Sequence, residues 1–338
     1  MPSSILKRFT GLVLAATLVP AITLVGASVY LNQRATLVME QRVQETLNLA
    51  INLEHSLIDA HLNQMKDRAV ALAANPLVID GLASGALRQD VLDSSQEALP
   101  GADLLVVVDR TGMVAGRAGT IRRGDTVSYG GFITNVLRTG AVSASVTRIP
   151  QADLAAEPAG VLGQVHVPVL ETEAATDPRV GTTLEDALAL VGAAPVKDAA
   201  GNILGAVVVS DILNNDFRIV DDVTSRSPVG LPLHATIALD GVRVTTNVPA
   251  PVGGRRAVGT LYSDLVMGSL RAGQEYRGRA LVGGHVWERT IYVPLTDQTG
   301  HVIAGSFVGV PEESFTVLVT RTGTTIWVAV GVAILSLL

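Results

Sequence analysis

The chain has no cysteine among its 338 residues. This absence excludes disulfides, thiolate nucleophiles and cysteine-ligated metal centres, so packing alone must hold the fold together. The six histidines show no metal-site spacing such as His-Glu-x-x-His. A Gly-x-Ser-x-Gly elbow, a phosphate loop and a dinucleotide fingerprint are also missing. We therefore expect no metal, no cofactor and no enzymatic activity.

Charge is scarce as well, since charged residues make up 17% of the chain and hydrophobic residues 48%. The net charge is −6, and the sequence has no basic stripe, which argues against nucleic acid as a partner. The apolar excess is more than a soluble surface needs and predicts that part of the chain contacts membrane lipid. The length is enough for two modest domains.

Two apolar runs are candidates for that lipid contact. Residues 11–31 form an uncharged run of 21 residues, which matches a bilayer core of about 30 Å at a rise of about 1.5 Å per residue. The run predicts a first transmembrane helix, and Lys7 and Arg8 before it predict a cytoplasmic segment 1–10. A cleaved signal peptide is the alternative, although the run is longer than a usual signal core of about 7–15 residues. Residues 322–338 predict a second transmembrane helix, after which the chain is either truncated or ends.

Residues 32–75 predict a long helix that continues from the first run. They contain no glycine or proline before Asn75-Pro76, which would end the helix. Apolar residues recur at steps of three, four or seven; they are Leu47, Ile51, Ile58, Leu62, Met65, Ala69 and Leu72. This stripe could pack on the chain's own domains, pair with a second copy to make a homodimer, or do both.

A strand-turn-strand unit occurs twice, over residues 194–210 and 287–310. Each copy carries the pattern Pro-x-x-Asp-x-x-Gly, in which the turns are Asp198 to Gly201 and Asp297 to Gly300. Each copy also follows an earlier hairpin and a short helix that closes on Leu-Arg-x-Gly. The same order of elements therefore occurs around residues 104–210 and 235–310, and we predict two tandem modules.

The first copy contains an insertion of about residues 150–192. Leu137 and Pro195 are 58 positions apart, whereas the equivalent Leu270 and Pro294 are 24 apart. The insertion is acidic, rich in alanine and interrupted by proline, and Thr183 with Asp186 could cap a short helix over 183–191. We interpret the insertion as a surface loop or, alternatively, a contact surface.

Several motifs, taken in order, resemble the double Cache sensor family of bacterial chemoreceptors and sensor kinases, as a fusion of the Cache 3 and Cache 2 types. In the second copy they are RRAVGT at 255–260, YRGRA at 276–280, GG at 283–284 and YVPL at 292–295 through GVP at 309–311. In the first copy they are DRTGMVAGR at 109–117 and GD at 124–125. The resemblance extends over about residues 11–338.

The resemblance implies an α+β fold: an N-terminal transmembrane helix continuing into a long periplasmic helix, two tandem PAS-like antiparallel-sheet modules, and a C-terminal transmembrane helix. The expected modules are membrane-distal over 76–225 and membrane-proximal over 226–315. In this family small organic anions or amino acids bind mostly in the distal module. By position, that pocket would involve Arg117, Arg122, Arg123, Tyr129, Arg148 and His166.

An arginine fork can hold a carboxylate through two hydrogen bonds, which is the physical reason to single these residues out. The alternative is that the arginines are solvated surface side chains. The chain lacks the Arg-x-x-Trp-Tyr signature of the amino-acid-binding members, so an organic anion is the expected ligand.

Two functions remain open at this point. The first is an inner-membrane sensor, mostly periplasmic, that binds a small ligand and transmits through its transmembrane helices. The second is a non-enzymatic subunit of a larger membrane complex, for example a respiratory or photosynthetic one, in which other membrane proteins are the partners. An end of the protein at Leu338, without an output module, would favour the second function.

Overall fold

The computed structural model describes residues 3–226, 232–251 and 253–314, with side chains described from residue 22 except residue 24. Within these ranges no helix is both long enough and apolar enough to cross a bilayer. The predicted transmembrane helix over residues 11–31 is therefore wrong, and these residues belong to one much longer helix, Ser3–Ala73. An uncharged stretch of bilayer length is necessary for a membrane span, but it is not sufficient. The predicted second span over 322–338 lies outside the described residues.

The described residues form an α+β fold. The helices are α1 (Ser3–Ala73), α2 (Pro76–Ser84), α3 (Gln89–Glu97), α4 (Phe132–Thr139), α5 (Gln151–Leu154), α6 (Ala159–Val165), α7 (Arg218–Ser225) and α8 (Asp264–Arg271). The strands are β1 (Leu104–Asp109), β2 (Val114–Arg117), β3 (Ser143–Ile149), β4 (Val167–Pro168), β5 (Thr183–Leu184), β6 (Ala187–Lys197), β7 (Ile203–Ile212), β8 (His234–Leu239), β9 (Val242–Thr246), β10 (Tyr276–Val282), β11 (Val286–Thr296) and β12 (Val302–Pro311).

Two five-stranded antiparallel sheets have the same topology. The first has the order β2-β1-β7-β6-β3, and the second has the order β9-β8-β12-β11-β10. Each strand of one sheet therefore has a counterpart in the other, and the predicted repeat is confirmed. We call α2 to β7 the first module and β8 to β12, with α8, the second module.

The turns that revealed the repeat fold as their chemistry predicts. In the first, the amide of Asn202 donates to the Asp198 carboxylate at 2.8 Å, and Gly201 has a φ of 87°. In the second, the amide of Thr299 donates to the Asp297 carboxylate at 2.7 Å, and Gly300 has a φ of 86°. Aspartate thus opens each turn through its side chain, and glycine closes it in a backbone region that other residues avoid.

Helix α1 packs against both sheets. Leu47 is buried in a cluster with Val308 of the second sheet, and Met65 is buried in a cluster with Val207 of the first. The closest approach is at Gly192 of β6, where a Cβ would overlap the α1 backbone at Met65. The apolar stripe predicted on this helix therefore serves its own chain, and glycine lets the helix and the sheet meet at the backbone.

The predicted helix over residues 183–191 is wrong. These residues form β5 and the start of β6, and β6 is buried from Ala187 to Ala194. Asp186 does not cap a helix; it accepts hydrogen bonds from the Gln151 amide and the Arg148 guanidinium. A continuous apolar run that is buried on both faces makes a central strand, and the possible cap pair misled the sequence interpretation.

The insertion in the first module reaches the second module. Residues 167–182, which we call the arm, lie across the segment between β9 and α8. The Leu170 amide donates to the Gly259 carbonyl at 2.9 Å, and the Leu261 amide donates to the Thr172 hydroxyl at 2.9 Å. Val169 is buried in a cluster with Leu261 and other residues of the second module. The insertion is thus a contact surface within the chain.

We expect a Gly192→Ala substitution to lower the free energy of unfolding by about 1–3 kcal/mol, the usual cost of an extra buried methyl group in a packed interior. The added Cβ would overlap the backbone of α1, so no side-chain rotation can relieve the clash. Chemical denaturation would measure the change. Gly268→Ala in α8 is the matched control, because nothing lies within 4 Å of its Cβ position; it should be neutral or slightly stabilising. Equal effects of the two substitutions would contradict the tight α1 contact.

Candidate functional site

A buried arginine lies on the helix-covered face of the first sheet. Arg117 ends β2, and its strand pairing with Val106 points it toward the core beneath α4, α5 and α6. The side chain is fully buried. Its Nη2 donates to Asp125 Oδ2 at 2.7 Å, and its Nε lies 3.1 Å from Glu157 Oε1. Two carboxylates therefore offset the charge of one buried guanidinium.

The insertion supplies one of those carboxylates. Glu157 lies between α5 and α6, which cover the sheet, and its residue is only 5% exposed. Burial raises the pKa of Glu157 to about 7, with the charge of Arg117 opposing the shift and that of Asp125 adding to it. Glu157 Oε1 and Arg117 Nε form an ion pair without hydrogen-bond geometry. The contact is thus a weakly held pair that a proton or a competing anion can separate.

A tyrosine in a strained backbone conformation borders the arginine. Tyr129 has a φ of 49°, a region that residues other than glycine seldom adopt. Asp153 of α5 fixes this conformation, since its Oδ2 accepts the amides of Ser128 and Tyr129 at 3.0 and 2.7 Å. Burial raises the pKa of Tyr129, and the charge of Glu157 adds to the shift while that of Arg117 opposes it. The insertion therefore positions both the phenol and the carboxylate.

Unused hydrogen-bonding groups remain at this cluster. Arg117 Nη1 and the Tyr129 hydroxyl are buried and have no hydrogen-bond partner in the described part of the chain. Buried polar groups usually find partners, so such exceptions indicate a site for another molecule. One guanidinium nitrogen and one phenol are donors suited to the oxygens of a small anion.

The other predicted site residues lie elsewhere. Arg122 and Arg123 are exposed, although each donates to a main-chain carbonyl, at Ala155 and Leu87 respectively. Arg148 is exposed and paired with Asp186. His166 is also exposed. Of the six residues, the structure brings together Arg117 and Tyr129.

The acidic part of the cluster, namely Asp125, Asp153 and Glu157, was not predicted from the sequence. Asp125 was noted only as part of a motif, and the other two were assigned to an acidic surface loop. Aspartate and glutamate are normally exposed, so no periodic pattern marks Glu157 as buried or the other two as half-buried. The one usable signal was that an acidic insertion follows a segment with a candidate binding arginine.

Comparison with known families agrees with this architecture. Residues 211–322 match the model of the family described as Single cache domain 3. This part of the chain is therefore similar to Cache-type sensor domains. The match begins at the last residues of β7 and includes the whole second module. It supports the predicted resemblance. No curated protein shows significant sequence similarity to the chain.

Several solved structures resemble this chain at low TM-scores. They include the periplasmic domain of Vibrio cholerae LuxQ (TM-score 0.41, 16% identity, covering 78% of this chain and 98% of that one). The sensor domain of the V. cholerae histidine kinase DctB has a TM-score of 0.44 and 14% identity, over 80% of this chain and 99% of that one. The ligand-binding domain of the Campylobacter jejuni chemoreceptor Tlp3, in complex with L-valine, has a TM-score of 0.42 and 6% identity, over 84% and 97%. Such low values carry no argument about the ligand of this chain.

Glu157 should make the stability of the protein depend on pH. In the folded protein it keeps its proton up to about pH 7, whereas its ordinary pKa is 4.5. Between these values the folded state binds more protons than the unfolded state, so the free energy of unfolding falls as pH rises, by about 2–3 kcal/mol from this group. Chemical denaturation from pH 4.5 to 8 would measure the slope.

Glu157→Gln is the matched variant, because it keeps the shape and removes the titration. Its stability should fall less over the same range. Burial also raises the pKa of Asp103, to about 6, and this contribution remains in both proteins. Identical slopes for the two proteins would show that Glu157 is ionised throughout.

Proposed function

We propose that the chain is an extracytoplasmic sensor region that binds a small organic anion in its first module, at Arg117. The observation that carries the proposal is that Arg117 and Tyr129 are fully buried and each retains a donor without a partner. The repeated Cache-type fold and the match over residues 211–322 support a sensor. The protein acts by binding rather than by catalysis.

Glu157 sets the chemistry of binding. In the unliganded protein its carboxylate lies where the carboxylate of a ligand would contact Arg117, so it acts as an internal substitute. A ligand carboxylate displaces it and gains the Nη1 and Tyr129 donors. The displaced Glu157 then takes a proton or moves toward solvent, because a second buried anion beside the first would be costly. Binding therefore favours lower pH and compact carboxylates.

Transmission runs through the insertion. Asp153 and Glu157 touch the ligand site from α5 and the turn after it, and α6 leads directly into the arm. The arm binds the second module at the Gly259 carbonyl and the Leu261 amide. A shift of Glu157 on ligand binding thus moves a segment whose far end is attached to the other module. Helix α1, which packs on both sheets, carries the change along the chain. Pairing of two copies through α1 stays a prediction.

Titration with a panel of small mono- and dicarboxylates would test ligand binding, read by calorimetry on the chain at pH 6 and pH 8. We expect binding that is tighter at pH 6. Arg117→Gln should weaken it by about 10–100-fold, the effect of losing hydrogen bonds from a charged group. Glu157→Gln should tighten binding at pH 8, because the competing carboxylate is gone.

Arg138→Gln is the matched control, since Arg138 is an exposed arginine of α4 that bonds only Asn135. It should leave affinity unchanged. The proposed site would be refuted if neither the native protein nor the Glu157→Gln variant bound a carboxylate. The variant lacks the competing Glu157 carboxylate and keeps the fold, so neither competition nor loss of the fold could explain that result.

Hydrogen exchange would test transmission. Adding a carboxylate that binds should change exchange at the amides of Leu261 and Asp264, which donate to Thr172 and Ala174 of the arm. A Thr172→Val substitution should reduce this change while leaving affinity nearly the same. Thr134→Val, at an exposed position of α4, is the control. If the change at Leu261 were the same in all three proteins, the arm would not be the route.

A further inference from the structure

The second module contains its own buried arginine. Arg243 lies on β9, the counterpart of β2, and is 0% exposed. Its strand pairing with Ala238 points it toward the face covered by α8, where Tyr262, Tyr292 and Phe307 form the core. Each sheet thus has one fully buried guanidinium on its helix-covered face.

Only part of the Arg243 guanidinium is engaged. Nη1 donates to the Thr260 hydroxyl at 3.0 Å and to the Leu261 carbonyl at 2.7 Å. The guanidinium carbon lies 4.8 Å from the centre of the Tyr262 ring, which covers one face. Nε and Nη2 are buried and have no hydrogen-bond partner in the described residues. These two nitrogens form one edge of the fork, which matches the two oxygens of a carboxylate or phosphate.

Arg243 forms no ion pair with any residue that the structure describes. No carboxylate lies within ion-pair distance of it among the described residues, and every aspartate and glutamate of the sequence falls within the described ranges. The two nearby buried acids are otherwise placed: Glu288 pairs with His234, and burial raises the pKa of Glu54 well above its ordinary value. An uncompensated buried charge is strongly unfavourable.

Arg117 gives the internal comparison. In the first module the equivalent strand carries a buried arginine that Asp125 and Glu157 neutralise. In the second module no acidic insertion covers the sheet, and the place of Glu157 is left without an anion. The first module therefore pairs its buried arginine with acidic residues of its own, whereas the second module does not.

We infer that Arg243 anchors a second anion-binding site, which takes one small oxyanion such as a carboxylate or phosphate on Nε and Nη2. The Tyr292 ring lies beside it, because its centre is 4.8 Å from that of Tyr262, whose ring covers one face of Arg243. The segment that holds Arg243, Thr260 to Leu261, is itself bound by the arm at Thr172. The arm therefore contacts the segment next to the site. This site does not depend on ligand binding at Arg117.

Thermal unfolding in two buffers of equal ionic strength would test the site. The reference buffer contains sodium gluconate, whose bulk keeps it out, and the second contains sodium acetate or sodium phosphate. We expect the native midpoint to be higher in acetate or phosphate. Arg243→Met should abolish the phosphate effect and reduce the acetate effect to the share that the Arg117 site contributes. In gluconate it should be at least as stable as the native protein, because an apolar side chain replaces an uncompensated charge.

Arg117→Met is the matched control. It should be less stable than the native protein in both buffers, since it leaves Glu157 buried without its cation, and it should retain the acetate or phosphate effect of the second site. Arg243→Lys keeps the charge but lacks the fork, and should weaken anion affinity by about tenfold.

Three results would overturn the inference: failure of Arg243→Met to fold in either buffer, a lower midpoint of that variant in gluconate, or an unchanged anion effect in it. Each would mean that Arg243 is a structural residue whose partners are the Thr260 hydroxyl, the Leu261 carbonyl and the tyrosines. Failure of the Arg117 site would appear separately, as carboxylate affinity that is the same in native protein and Arg117→Gln.

Discussion

The packing of α1 along both sheets is the constraint on which the rest of the molecule depends. The helix meets β6 at backbone distance over Gly192, and farther back it buries Leu47 against the second sheet. Because the single helix α1 packs against both modules, this packing fixes the distance and the rotation between them. A change in one sheet can therefore be carried to the other along this helix.

The insertion adds a second connection between the modules. Its first part, with Asp153 and Glu157, closes the core of the first module, and its later part, the arm, closes the second. The two buried arginines are therefore linked through one stretch of chain: Glu157 touches Arg117, and Thr172 holds the segment that contacts Arg243. The insertion is thus one segment that contacts the surroundings of both buried arginines, although the arginines do not contact each other.

Local chemistry made most of the fold predictable. The Asp-x-x-Gly turns, the helix stops at glycine and the stripe through Leu47 and Met65 each rest on residues within a few positions of one another, and each folds as expected. The repeat followed from these signals because the same local rules apply twice. The resemblance to a known family added the sheet architecture.

Errors arose where distant residues decide the outcome. The run over 11–31 has the length and lack of charge of a membrane span, but those local properties alone do not establish that a helix crosses a bilayer. Thr183 and Asp186 resemble a helix cap in the sequence, but the residues that follow form β6, which pairs with β3 and β7. In the candidate site, Arg117 and Tyr129 were predicted, whereas Glu157 was missed because its burial depends on where the insertion folds. Arg148 and His166 were chosen by position alone, and position does not fix which way a side chain points.

The arm also determines how the chain could be divided. Because residues 167–182 belong to the first module in sequence and cover the second in space, a cut near residue 226 would strip the second sheet of the Val169 contact and expose Leu261 beneath it. The two modules repeat one topology, but in this chain the first covers part of the core of the second, so dividing them there would bare apolar side chains.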